Sequence, residues 1–150
     1  MDRYSASGTI NAVTATPGDT AMAVLASALT RAKIYLITLA AGGTPADNML
    51  QWLIRRLTAD GTGTAVTPSL VDAGAPVAQL TARQNYSAEP TYSTGDPLQN
   101  WPIHQRNTYT WNAAPGGELI IPATAGAGIG ATPIHAVYVG AATATMAWME

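Results

Sequence analysis

Cysteine is absent from this chain of 150 residues, which excludes disulfide staples and thiolate metal sites and leaves the redox compartment open. Charge is scarce as well. Only 11% of the residues are Asp, Glu, Lys or Arg, less than half the fraction usual in soluble domains. Lysine occurs once, at Lys33, and the arginines are scattered rather than clustered. The net charge is −2. Nucleic-acid binding by phosphate neutralisation needs a basic patch, so no nucleic-acid partner is expected. Long apolar runs are missing too: stretches such as Met22 to Ala28 are far too short to cross a bilayer, and no membrane partner is expected. The opening stretch MDRYSASGTINA is polar and lacks the apolar segment of a secretory signal. A soluble protein made inside the cell is the expectation.

Ala, Thr, Gly and Pro take the place of the missing charge, with an ordinary apolar fraction of 47%. The length suits one domain with its own core. A surface of hydroxyls, amides and small apolar groups suits permanent packing against other subunits better than life as a freely diffusing monomer.

Residues 1–16 alternate loosely through Tyr4, Ala6, Ile10 and Ala12 and read as an N-terminal arm or edge strand, with residues 17–150 forming one domain. Thr16-Pro17-Gly18-Asp19 is a turn signal. Ala21 to Leu29 is ambiguous and leans to strand. Lys33 to Leu39 is the clearest strand, apolar on both faces and therefore expected to be buried on both.

The next stretch holds a conflict. Thr44-Pro45-Ala46-Asp47 is a good helix start, and Leu50, Leu53, Ile54 and Leu57 follow at helical spacing. The same residues also read as a strand, with Leu50, Trp52 and Ile54 on one face and Met49, Leu53 and Leu57 on the other. Local pattern favours the helix. Gly61 to Pro76 reads as an ordered loop. Residues 76–86 alternate as a half-exposed strand, and 87–100 read as loop. Trp101 to Trp111 reads as one long strand, Glu118 to Ile121 as a short one, and Ala123 to Ala131 as a flexible small-residue loop. Pro133 to Val139 and Ala144 to Trp148 close the chain. About eight strands at intervals of roughly 8–14 residues, separated by turn chemistry, are the sign of an all-β sandwich or jelly roll.

No residue set singles itself out for catalysis. His104 and His135 lack a neighbouring ligand at metal spacing, and a structural or surface role accounts for them. Asp19, Asp47, Asp60, Asp72 and Asp96 each sit beside Gly, Pro or Ala, where a carboxylate accepts backbone N–H bonds in a turn. Gly126-Ala127-Gly128-Ile129-Gly130 resembles a phosphate loop only superficially, because a β-type segment follows it and not a helix. Neither a catalytic set nor a metal or cofactor is expected. Trp101, Tyr109 and Trp111 offer either a sugar-stacking platform or core filling, and core filling is the simpler reading. Arg55 and Arg56 point to opposite faces of a strand, so at least one should sit at a contact or beside an acid.

Residues 33–72 run in a distinctive order: the strand KIYLITL, the turn TPADN, a strand ending LIRRLTADG, and the loop GTGTAVTPSLVD. The segment WNAAP and the acidic end WME come later. Together they resemble a family of small jelly-roll head decoration (cement) proteins of tailed bacteriophages and prophages. The family's acidic pair before the Arg strand is reduced here to Asp47, and its Pro-Glu after the Trp strand has become Pro115-Gly116-Gly117-Glu118.

The resemblance favours at most one short helical turn near 44–48 and then a strand. It implies an antiparallel jelly-roll β-sandwich, no enzymatic activity, and a place on the outer capsid surface of the virion after synthesis in the host cytoplasm. The implied partners are the major capsid protein and further copies of the chain, as a trimer. Contacts are expected from Arg3, Tyr4 and Ile10 of the arm, from Arg55 and Arg56, from Thr64, Val66 and Pro68 of the first loop, and from Tyr92 and Trp101 near the second. Two other readings are a carbohydrate-binding sandwich module and the jelly-roll coat protein of a simple virus.

Overall fold

The computed structural model describes residues 1–13, 19–134 and 140–150. Most of the turn expected at Thr16 to Asp19, His135, and the second half of the strand expected at Pro133 to Val139 lie outside the described residues. Everything regular in the described residues is β-structure, arranged as two antiparallel sheets packed face to face.

The first sheet contains β1 (Arg3–Ile10), β3 (Ala32–Ala41), β6 (Ser69–Leu70), β10 (Tyr109–Asn112), β11 (Leu119–Ile121) and β13 (Ala142–Met149). Its order is β10-β3-β13-β1-β6, with β11 also on β3. The second sheet contains β2 (Met22–Leu25), β4 (Met49–Ala59), β5 (Thr62–Val66), β7 (Thr81–Ala88), β8 (Thr91–Tyr92), β9 (Gln99–His104) and β12 (Gly128–Ile134). Its order is β5-β7-β2-β12-β4-β8, with β9 also on β4.

β4 is a strand throughout, and it shows why the local helix signal fails. Leu50, Trp52 and Ile54 alternate into the core, while both edges of β4 are hydrogen-bonded, to β12 on one side and to β9 and β8 on the other. Ladder pairing on two edges and a buried Trp outweigh a helix propensity that differs little among these residues. Residues 43–44 and 47–48 bend without a helical turn. Gln105 stabilises the segment instead: its Oε1 accepts from Ala46 N at 2.8 Å and its backbone N–H donates to Asn48 O at 3.0 Å.

Between the sheets lies one continuous core. Tyr4, Ile34, Ile37, Leu39, Met146 and Trp148 come from the first sheet and meet Met22, Val24, Leu50, Trp52, Ile54 and Ile129 from the second. Tyr4 and Trp148 are cross-strand partners with stacked rings 6.2 Å apart. At about 25 cal/mol per Å² and roughly 150–250 Å² for a buried aromatic side chain, Trp148 contributes about 4–6 kcal/mol of burial free energy. Residues 3–10 are thus built into the sheet, paired with β13 along their whole length.

Several expectations need correction. The described residues hold thirteen strands rather than about eight, because the stretches read as loops at 61–76 and 87–100 contribute β5, β6 and β8. The run from Trp101 to Trp111 is not one strand. It breaks at residues 105–108, so that β9 joins the second sheet and β10 the first. The strand expected at 76–86 begins only at Thr81, and that at 21–29 is confined to β2. β3 is fully buried on one face only; Lys33, Tyr35, Leu36 and Thr38 are half-buried.

The stretch read as a flexible loop at 123–131 instead runs into a central strand, β12. Its glycines serve close packing. A Cβ on Gly128 would stand 2.3 Å from the Val24 carbonyl oxygen, and one on Gly130 would stand 2.7 Å from Tyr92 Oη.

The second sheet also closes on itself. β5 follows β4 after two residues, and β8 follows β7 after two residues, so 49–66 and 81–92 face each other as one interrupted antiparallel ribbon. β7 pairs with β2, β2 with β12, and β12 with β4. The ring of ladders encloses a small second core of Ala23, Leu25 and Leu57, with Tyr86 and Tyr92 packed against it.

Candidate interaction surfaces

The outer face of the first sheet is built from alternate residues of β1, β13, β3 and β10. The ladders align them in rows: Ser7, Thr145, Thr38 and Thr110 in one, Thr9, Thr143 and Ala40 in the next, and Ser5, Ala147, Leu36 and Asn112 on the other side. No charged residue stands in these three rows; charge enters only in the row of Arg3, Met149 and Lys33. The hydroxyls bond to one another: Ser7 Oγ to Thr145 Oγ1 at 2.7 Å, Thr9 Oγ1 to Thr143 Oγ1 at 3.2 Å, and Thr38 Oγ1 to Thr110 Oγ1 at 3.2 Å. Polar groups already paired in this way lose little when another surface covers them.

Polar residues enter the closed ring. Glu89, in the link between β7 and β8, accepts from Thr20 N at 3.0 Å and from Thr20 Oγ1 at 2.5 Å. Tyr92 Oη is bonded to Thr20 Oγ1 and lies 3.1 Å from Thr132 Oγ1. Arg55 donates to Thr132 Oγ1 at 3.1 Å, and its guanidinium stands over the Tyr92 ring. Burial pushes the Glu89 carboxyl above its ordinary value, opposed by the Thr20 bonds and by Arg55. Burial likewise pushes up the Tyr92 and Tyr86 phenols.

A cleft of about 520 Å³ lies beside the β9–β10 turn, lined by Met49, Pro102, His104, Arg106 and Tyr109 among others. His104 Nε2 is 3.0 Å from Asp47 Oδ1, and Nδ1 accepts from Arg106 N at 3.3 Å. An acceptor Nδ1 places the proton on Nε2, so the imidazole donates to Asp47. Both ring nitrogens are therefore engaged in holding the turn. Next to the cleft, Trp101 packs against Tyr109 at 5.1 Å and Trp111 at 6.2 Å between ring centroids. All three rings are half-buried against the core, an arrangement between the full burial and the open platform considered from sequence.

Comparison with known protein families, with curated proteins and with solved structures finds no match to this chain.

The residues singled out from sequence scatter over the molecule. Tyr4 and Ile10 are core residues, 1% and 7% exposed, so their side chains are not contact groups in the folded chain; alternation in β1 turns them inward. Arg3 stays at the surface in a two-bond pair with Asp72, at 2.6 and 3.2 Å, which holds the Asp72 carboxyl below the usual carboxylate range. Arg55 is half-buried in the ring. Arg56 donates to Ile120 O at 2.7 Å and so ties β4 to the opposite sheet. Thr64 is exposed on β5, while Val66 and Pro68 are half-buried. Tyr92 lines the ring interior, and Trp101 belongs to the aromatic trio.

Three turn acids carry ion pairs that spacing did not reveal, Asp47 among them, 3.8 Å from Arg106 Nε. Asp60 caps Gly61 N at 2.8 Å as expected but also lies 2.8 Å from Arg83 Nε. Asp72 answers Arg3 across 69 residues. The hydroxyl rows were missed because their members come from four separate segments. Their only trace in sequence is Ser or Thr at alternate positions of β1 and β13.

Among the described residues no group of three His, Cys, Asp or Glu side chains could share a metal ion.

Proposed function

We propose that this chain is a structural protein of a tailed-phage virion, a decoration or cement protein on the outer capsid surface that clamps neighbouring major capsid subunits. The role is mechanical and calls for no reaction. The observation that carries the reading is the outer face of the first sheet, three rows of which carry no charge, with hydroxyls bonded to one another. Covering these rows with a neighbouring copy desolvates no charge, and hydroxyls bonded to one another lower the polar cost, which suits a protein that spends its working life in an assembly. On this reading the face joins copies into a homo-oligomer, a trimer by the family resemblance.

The same reading takes the sandwich as a jelly roll. In its support, β1 pairs with β13, β2 with β12, β3 with β10, and β4 with β8 and β9. First meets last, second meets next to last, and so inward, as when one long hairpin is wound double. Counted this way, the remaining short strands are interruptions of, or additions to, eight principal ones.

The test is addition of purified protein to expanded heads that lack it. Stoichiometric binding and a higher rupture temperature are expected; no binding to expanded heads overturns the reading.

A further inference from the structure

Six large apolar side chains are exposed among the described residues, and four of them, Leu29, Leu70, Val71 and Val77, lie on segments that hydrogen bonds tie to one corner, where β1 starts and Glu150 lies. Leu29 and Val77 are 86% and 87% exposed. A set of hydrogen bonds fixes them there. β6 places Leu70 opposite Tyr4, and Val71 N donates to Arg3 O at 2.9 Å. Tyr4 Oη donates to Pro76 O at 3.0 Å, which holds the residue before Val77. Glu150 accepts from Gln79 N at 2.8 Å, from Leu80 N at 3.0 Å and from Trp148 Nε1 at 2.9 Å. Thr30 is bonded to Gln79 and brings Leu29 alongside. A segment anchored this heavily holds its apolar groups in solvent at a standing cost, and such patches on a polar surface mark contact sites.

The corner surrounds a small cleft of about 220 Å³, lined by Asp2, Tyr4, Thr30, Pro76, Val77, Gln79 and Glu150. This lining carries two carboxylates and no basic side chain. Arg3 nearby is taken by Asp72, and Arg31 lines a different cleft with Arg56, Ile120 and Pro122.

We propose that this corner is the anchor to a different protein, one that presents an apolar side chain flanked by Lys or Arg. The apolar group enters between Leu29 and Val77, and its basic neighbours meet Asp2 and Glu150. A second copy of the chain docked on the same corner would set like carboxylates against each other, which argues against self-association here. The inference rests on the decoration reading, in which the partner is the major capsid protein.

The experiment compares the wild-type chain with Val77→Asp, Leu29→Asp and, as a control of equal charge change on the exposed 93–96 stretch, Thr94→Asp in binding to expanded heads. Val77 and Leu29 lie outside the strands and are almost fully exposed, and thermal melts verify that each variant folds. Two positions on separate segments keep the result independent of any one variant. The expected result is a loss of affinity on the order of tenfold or more for Val77→Asp and Leu29→Asp, with Thr94→Asp unchanged. If the wild type binds and both corner variants bind within about twofold of it, the corner is overturned as anchor while the decoration reading stands. If the wild type itself fails to bind, the reading beneath the proposal falls. If Val77→Asp instead shifts the sedimentation of the free protein from oligomer to monomer, the corner joins copies and the proposal is overturned.

Discussion

The guanidinium carbon of Arg55 stands 3.6 Å from the centroid of the Tyr92 ring. The pair closes the interior of the ring of ladders, with Thr132 and Thr20 bonded to the same phenol. A lysine keeps the charge but not the plane that stacks on an aromatic face. Arg55→Lys should therefore lose about 1 kcal/mol of stability and Arg55→Ala about 2 kcal/mol, read from urea midpoints at constant slope. An unchanged midpoint for Arg55→Ala would show that the contact contributes nothing.

Gly128 and Gly130 differ in what surrounds them. An added methyl at Gly130 meets side-chain atoms only, the tip of Tyr92 and Leu57 Cδ1 at 3.1 Å, and these can shift at the expense of the Tyr92 hydrogen bonds. At Gly128 it meets the Val24 carbonyl, and a ladder must shift. Gly130→Ala should cost about 1–3 kcal/mol and Gly128→Ala clearly more, to the point of poor folding. Thermal denaturation of the two variants checks the order; the reverse order contradicts the packing described.

Glu89 and Asp72 have opposite pH signatures. The folded-state value of Glu89 is raised, so the folded chain holds that proton more tightly than the unfolded chain does. Its contribution is fully present below the ordinary glutamate value and disappears as pH rises through the raised value. Asp72 is lowered: its contribution is present above the ordinary aspartate value and lost as pH falls through the depressed one. Glu89→Gln should flatten the stability profile above the ordinary glutamate value and leave the acid limb in place. Denaturant midpoints across a pH series provide the measurement, and an unchanged slope in the upper window would count against a raised Glu89.

The hydroxyl rows predict a separation of folding from assembly. Thr145→Lys places a charge in the middle of the uncharged face without touching the core. The melting temperature of the chain should move by no more than a few degrees, while the homo-oligomer of the proposed function dissociates in analytical ultracentrifugation. A wild-type chain that sediments as a monomer at working concentration would remove copy–copy packing on this face.

Much of the fold is legible in residue pattern. Strand β3 announces itself through Ile34, Tyr35 and Ile37, and β13 through its alternation with Trp148. What stays hidden depends on partners distant in sequence. Residues 49–57 have a helix pattern, and only pairing with β12 and β9 decides for strand. Gly126 to Gly130 reads as a loop because a sequence does not tell a glycine that turns the chain from one that admits a neighbour. Gly126, at φ 80°, is the first kind, and Gly128 is the second. The apolar corner is harder still. Leu29, Leu70, Val71 and Val77 come from separate stretches with no common pattern, and only the bonds made by Glu150, Tyr4 and Thr30 relate them.

The closure of the second sheet alters how the molecule can come apart. An open sheet frays from its outermost strand, one ladder at a time. Here residues 22–25, 49–66, 81–92 and 128–134 form a loop of ladders in which each segment has a neighbour on either hand, and Glu89, Tyr92 and Arg55 bolt the loop from within. None of the four can peel away first without breaking two ladders together. For the capsid clamp proposed above, the consequence is that load on any one segment would be shared around the hoop.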